Sequence, residues 1–229
     1  VYSKKALTEA YQAYDKACVD SSGKRRARVH YAMKANSNLA VIDCFKKLGS
    51  GFDLVSGGEL ARALAVGADP KSLVFAGVGK SASEIAQALE AGVKCINVES
   101  IAELHQINRV ATKLNCRAPI SLRVNPDVDA QTHPYISTGL KGNKFGIAYH
   151  EVLKTYREAA LLSQIDVVGI DCHIGSQITT TAPYLDALDK VLELVAQLKK
   201  EGIEIHHLDL GGGLGISYGD DNPPDITEF

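Results

Sequence analysis

No apolar run in this sequence approaches the ~20 residues that a helix needs to cross a membrane, and its start lacks the form of a signal peptide. No two cysteines have CxxC spacing: Cys18, Cys44, Cys95, Cys116 and Cys172 stand far apart and are odd in number. That pattern argues against a disulfide framework and a zinc site, and it predicts reduced, mostly buried thiols in a cytoplasmic protein. An excess of one charge is also missing. The formal net charge is -2, and Lys24, Arg25, Arg26 and Arg28 form the one basic run. Such a run before a strand reads as a solvated face and not as a nucleic-acid surface.

What remains is an ordinary globular composition, 45% apolar over 229 residues, enough for a core that needs no covalent staple. Seven short apolar runs recur: RVHYAMKA, GFDLVS, SLVFAG, CINVES, APISLRVN, VVGIDCHIG and HHLDLGGG. Each is apolar on successive residues, which suits parallel strands buried on both faces. Helical patterns separate them, and LTEAYQAYDKA precedes the first. Ser81 and Glu84 form a capping box ahead of a helix that Gly92 should stop. Leu185, Leu188, Leu192 and Val195 mark the apolar face of another helix, ending near Gly202.

Strands alternating with helices predict a parallel α/β fold. Polar residues gather where the strands end: Lys34 and Asn36, Asp53 and Ser56, Glu99, Arg123 and Asn125, His173 and Ser176, then the glycines from Gly211. A (β/α)8 barrel builds its active site from such ends, whereas an open sheet has one switch point, so the barrel is the better match. An eighth strand is missing. The chain runs from Val1 to Phe229 and reads as a fragment of a longer protein, with residues 1–229 as one partial barrel domain. Residues 126–146 form a long aperiodic stretch whose Tyr135, Ile136 and Phe145 suggest a loop folded over a site.

Two nucleotide motifs fail on inspection. AGVGKSASE lacks the first glycine of a phosphate-binding loop, having Val74 there, and GGGLGISY meets Ile216 where a dinucleotide fingerprint needs glycine. Gly211, Gly212, Gly213 and Gly215 after a strand still let backbone N–H groups approach an anion, though a tight turn alone would also use them. In barrels a phosphate is often held after the seventh and eighth strands, and this is the seventh. His173 could be structural, or could lie flat on an aromatic ligand, and the Ser176 hydroxyl could bond a phosphate oxygen. Glu59 could complement a helix dipole or act in a site. A free lysine of pKa about 10.4 is neutral only ~0.04% of the time at pH 7, so Lys34 needs imine formation or an altered environment to act as a nucleophile. Pyridoxal phosphate would supply both an aldehyde for Lys34 and a phosphate for the glycines.

In order, YAMKAN, GFDLVSGGEL, HPYISTG, NKFGI, HIGSQ and LDLGGGLGI resemble the diaminopimelate decarboxylase family over nearly the whole chain. The resemblance implies an alanine-racemase-type barrel, joined in complete enzymes to a C-terminal β-domain that is absent here. It implies pyridoxal 5'-phosphate as cofactor, decarboxylation of meso-diaminopimelate to L-lysine, a small amino-acid substrate, and a cytoplasmic homodimer with a shared active site. Lys34 would carry the cofactor, and His173 would stack on its ring. Ser176, Gly212 and Gly213 would hold its phosphate, while Asp53, Glu59 and Arg123 would support the surroundings. HPYISTG with KFGI points to this member over ornithine and arginine decarboxylases. A non-catalytic pyridoxal-phosphate-binding barrel is the alternative, and a plain structural module is another. The family's Glu-Pro-Gly-Arg and Cys-Glu segments are absent, so little activity is expected of this chain, and the unpaired strand edges of an open seven-strand barrel imply poor solubility or non-native association.

Overall fold

The structure, a computed structural model, describes residues 1–128, 145–219 and 222–229, so HPYISTG (133–139) lies outside the described residues. Two compact units divide the chain, Val1–Lys94 and Cys95–Phe229.

The first unit opens with helix α1 (Lys4–Ala17), capped by the Ser3 hydroxyl. Strand β1 (His30–Ala32) leads directly into a 3-10 turn, Met33–Ala35, and helix α2 (Leu39–Lys47) follows. Then come β2 (Gly51–Leu54), α3 (Gly57–Ala65), β3 (Leu73–Phe75) and α4 (Ala82–Ala91). All three strands are parallel, with Ala32 opposite Asp53 and Leu54 opposite Phe75. Met33, Ile42, Phe52, Leu54, Leu73, Phe75 and Ile85 are fully buried and form the core.

The second unit carries β4 (Cys95–Val98), α5 (Ile101–Leu114), β5 (Ala118–Asn125), β6 (Ile147–Ala148) and α6 (Tyr149–Leu161). It ends with β7 (Ile165–Cys172), α7 (Ala182–Lys200) and β8 (His207–Leu210). Strands β4, β5, β7 and β8 pair in that order, all parallel, while the two-residue β6 adds to the end of β5. All seven expected strands are present; β6, too short to show a pattern, is additional.

Two sequence expectations change. The face that α7 buries is Pro183, Ala187, Val191, Leu194 and Leu198, whereas Leu185 and Leu192 are exposed. Both series have helical spacing, and leucine content misidentified which one packs. The thiols are also less buried than expected, since Cys95 and Cys172 are buried and the other three only partly.

One device recurs where helices begin. The hydroxyls of Ser56, Ser81 and Ser100 accept from the N–H groups of Glu59, Glu84 and Glu103 three residues on. Each glutamate reaches back: Glu59 to the Val55 N–H (2.7 Å), Glu84 to the Ser81 N–H (3.0 Å) and Glu103 to the Glu99 N–H (2.7 Å). These bonds satisfy orphan donors of the first turn. Glu84 also accepts from the Gly57 N–H at 2.8 Å and so ties the starts of α3 and α4 together.

The Gly57 N–H, then the Ser81 N–H and hydroxyl, hold the Glu84 carboxyl below the usual carboxylate range. A lowered folded pKa adds stability above the unfolded pKa that is lost as pH falls through the folded one. Glu84→Gln is expected to destabilise the chain by about 1 kcal/mol at neutral pH. In urea unfolding at several pH values, the difference from wild type should shrink below the carboxylate range. Burial, reinforced by Asp171, pushes the Cys172 thiol up to about 12. Since the thiolate is the nucleophile, brief iodoacetamide treatment of the native chain should modify Cys44 and Cys116 but spare Cys95 and Cys172. Peptide mapping reads this out, and labelling of Cys172 before unfolding would contradict it.

Candidate active site

Adjacent residues of a strand point to opposite faces, so the register determines which side chains meet. Across β5, β7 and β8 it aligns Ser121, Gly169 and His207, then Arg123, Asp171 and Asp209. The same face of β4 carries Cys95 and Asn97, and Glu99 follows directly after the strand. Asn97 on β4 donates to Asp209 on β8 at 2.9 Å, although β5 and β7 lie between those strands. Side chains can meet over two intervening strands only on the concave side of a strongly curved sheet. Within this unit, then, the sheet bends as a barrel wall does.

That concave face is polar. The Ser121 hydroxyl lies 3.1 Å from the His207 Nε2, and the Cys95 thiol lies 3.5 Å from the same nitrogen. Arg123 has a side chain only 11% exposed, with Nη1 2.8 Å from Glu99 Oε1 and Nε 3.9 Å from Asp171 Oδ2. The second Glu99 oxygen accepts from the Gly146 N–H at 3.2 Å, and the Phe145 ring lies 5.0 Å from the guanidinium. The sequence reading expected successive apolar residues here; in fact Ser121 and Arg123 of β5, Gly169 and Asp171 of β7, and His207 and Asp209 of β8 alternate with apolar neighbours. Asn97, Ser121, Asp171, His207 and Asp209 were missed as interior residues. The period-2 pattern S-x-R-x-N, D-x-H and H-x-D in these strands was the available signal.

Past the last paired residues, Cys172 and Leu210, the strands open into two loops. The next residues are His173 and Gly211, and a Cβ on Gly211 would collide with the His173 ring. A Cβ on Gly213 would likewise meet the Gly175 carbonyl, whereas one on Gly212 would have nothing within 4 Å. A parallel bridge between Ile178 and Leu214 joins the loops. Ser176 and Gly212 are exposed. The backbone N–H groups of Gly212, Gly213 and Leu214 donate to nothing among the described residues. Three successive unused donors beside an open space are suited to an anion. His173, Ser176, Gly212 and Gly213 are therefore gathered on this loop pair, with Arg123 on the neighbouring β5.

Lys34 and Asp53 belong to the first unit. Lys34 sits in the 3-10 turn that continues β1, exposed, with no hydrogen bond to its amine among the described residues. Asp53, half-buried, lies opposite Ala32 on the adjoining strand, and Glu59 is occupied in capping α3. Lys80, in the failed phosphate-loop motif, is buried and donates to the Gly77 carbonyl at 2.6 Å. Among the described residues, no group of histidine, cysteine, aspartate and glutamate is placed to hold a metal, and no helix is long and apolar enough to cross a membrane.

Proteins of similar sequence and fold are known. The chain is 57% identical over 229 residues to a diaminopimelate decarboxylase of Neisseria meningitidis serogroup A, covering all of this chain and 55% of that protein. It is 54% identical to the Vibrio cholerae serotype O1 enzyme of the same name, covering 54% of it. The chain thus spans about half the length of the curated relatives it matches. Helicobacter pylori diaminopimelate decarboxylase, solved in complex with L-lysine, superposes with a TM-score of 0.93 at 41% identity. That match covers 99% of this chain and 57% of the other, and the expected parallel α/β barrel-type class stands. The family described as pyridoxal-dependent decarboxylase, pyridoxal binding domain, matches residues 5–229, and the chain belongs to that family.

Proposed function

We propose that residues 1–229 form the pyridoxal-phosphate-binding domain of a diaminopimelate decarboxylase, which converts meso-diaminopimelate to L-lysine. The observation that carries this reading is the loop pair after β7 and β8. Its unused N–H groups at Gly212, Gly213 and Leu214 stand in a chain 57% identical throughout to a diaminopimelate decarboxylase. A cofactor phosphate matches those donors, and the exposed Lys34 amine, at a strand end, matches its aldehyde.

Each residue then has a role in holding or orienting. Lys34 would hold the cofactor, and the His173 ring would cover its aromatic face. Ser176, Gly212 and Gly213 would bind the phosphate. Asp53 and Arg123 would support the surroundings, Arg123 acting from between Glu99 and Asp171. When bound, pyridoxal phosphate supplies an electron sink for the pair left by a departing carboxylate. The protein's own contribution is to orient the bond that breaks and to keep water from the reacting carbon. L-lysine bound to the H. pylori enzyme supports an amino-acid substrate of this size. The complete enzyme would be a homodimer with a shared site, a reading that rests on the family resemblance. Five free cysteines support a reducing, cytoplasmic setting.

Borohydride reduction in the presence of pyridoxal phosphate, followed by peptide mapping, tests the assignment. Label is expected on Lys34 and should vanish in Lys34→Ala; label confined to other lysines would overturn it. Carbon dioxide release from meso-diaminopimelate by the full-length protein separates a decarboxylase from a protein that only binds the cofactor.

A further inference from the structure

The glycine loop is tied by one kind of group and left open by the other. Gly213 O accepts from the Ile178 N–H at 2.9 Å, and the Gly215 N–H donates to Ile178 O at 2.9 Å. The Gln177 side chain accepts from the Ile216 N–H at 3.0 Å and its amide donates back to Ile216 O. Gly212 O accepts from the Tyr184 hydroxyl at 3.0 Å. The carbonyls of Gly212, Gly213 and Ile216 thus have partners, while the N–H groups of Gly212, Gly213 and Leu214 have none among the described residues.

A trans peptide is planar, so the carbonyl of one residue and the N–H of the next point in opposite directions. Holding Gly213 O therefore aims the Leu214 N–H, and holding Gly212 O aims the Gly213 N–H. The first tie is backbone to backbone. The second depends on a single side chain, and it acts on the peptide between two glycines, where rotation meets least steric resistance. Gly213 already has φ of 104°, and Gly212 is exposed. Tyr184 lies in the first turn of α7, its ring packed edge-on against Phe229 with centroids 4.4 Å apart.

We propose that Tyr184 is a positioning residue for the cofactor's phosphate. By anchoring the Gly212 carbonyl, its hydroxyl keeps the Gly213 N–H turned to the opposite, anion-binding side. This inference rests on the pyridoxal-phosphate reading above. In this role Tyr184 acts through the backbone and not on the cofactor directly: it selects one of two orientations of the Gly212–Gly213 peptide.

Tyr184→Phe removes the hydroxyl and keeps the ring against Phe229. The test compares binding of pyridoxal phosphate with binding of 5'-deoxypyridoxal, which has the same ring and aldehyde without the phosphate. Absorbance titrations should show pyridoxal phosphate affinity falling about 3- to 10-fold in the variant, the effect of one lost hydrogen bond. Affinity for 5'-deoxypyridoxal and the unfolding midpoint without ligand should not move. Equal losses for both ligands, or a lowered midpoint with them, would make Tyr184 merely structural and overturn the inference. No loss for either ligand would overturn it equally. Should wild type fail to prefer pyridoxal phosphate over its phosphate-free analogue, the cradle itself is refuted and the inference falls with it. Borohydride labelling at Lys34 reports separately on the aldehyde end, so the two failures are distinguishable.

Discussion

The register between β7 and β8 is the constraint on which the second unit depends. It pairs Cys172 with Leu210, so the next residues, His173 and Gly211, emerge level with each other. The imidazole takes the space that a Cβ at residue 211 would need, which makes glycine obligatory there. Level exit also lets the two loops run side by side and form the Ile178–Leu214 bridge. A slip of one residue would turn Asp209 and His207 toward the other face and Leu208 and Leu210 toward the concave one. The loop geometry is thus a consequence of strand pairing several residues earlier.

The same register explains how the sheet tolerates so many polar side chains on its concave face. Arg123 answers Glu99 and approaches Asp171, while Asn97 answers Asp209. A buried ion pair contributes little against an apolar replacement, yet losing one partner costs about 3–5 kcal/mol. Such a network restricts alternatives more than it adds stability, since each misplaced strand would strand a charge. It also holds Arg123 between two carboxylates. Tyr184 and Gln177 restrain the glycine loop through its carbonyls. The loop is therefore held by ordinary hydrogen bonds to its carbonyls, with the N–H groups of Gly212, Gly213 and Leu214 unused among the described residues.

Much of this was legible in the residues. All seven principal strands lie where short β-branched runs stand between helical patterns, because burial on a parallel sheet leaves a local mark. The Ser81–Glu84 cap was legible for a similar reason, as its donors and acceptors lie within one turn. The buried face of α7 was not. Its leucines recur at helical spacing on a face that the structure leaves exposed, and composition alone could not tell which face meets the sheet. Glu59 fell between the two cases, its capping geometry local but its alternative a distant site.

The positions Lys34, Asp53, Arg123, His173, Ser176, Gly212 and Gly213 were singled out because strand ends are visible in a pattern of apolar runs. Their company was not visible. Arg123 among two carboxylates, Asn97 reaching Asp209 across two strands, and Tyr184 bonded to Gly212 join residues 24 to 112 positions apart. Pairings of that range are set by sheet register and curvature, which arise from the packing of whole elements. Local sequence specifies where a strand ends and a loop can turn; only the assembled sheet specifies which carbonyls are tied and which N–H groups remain to bind.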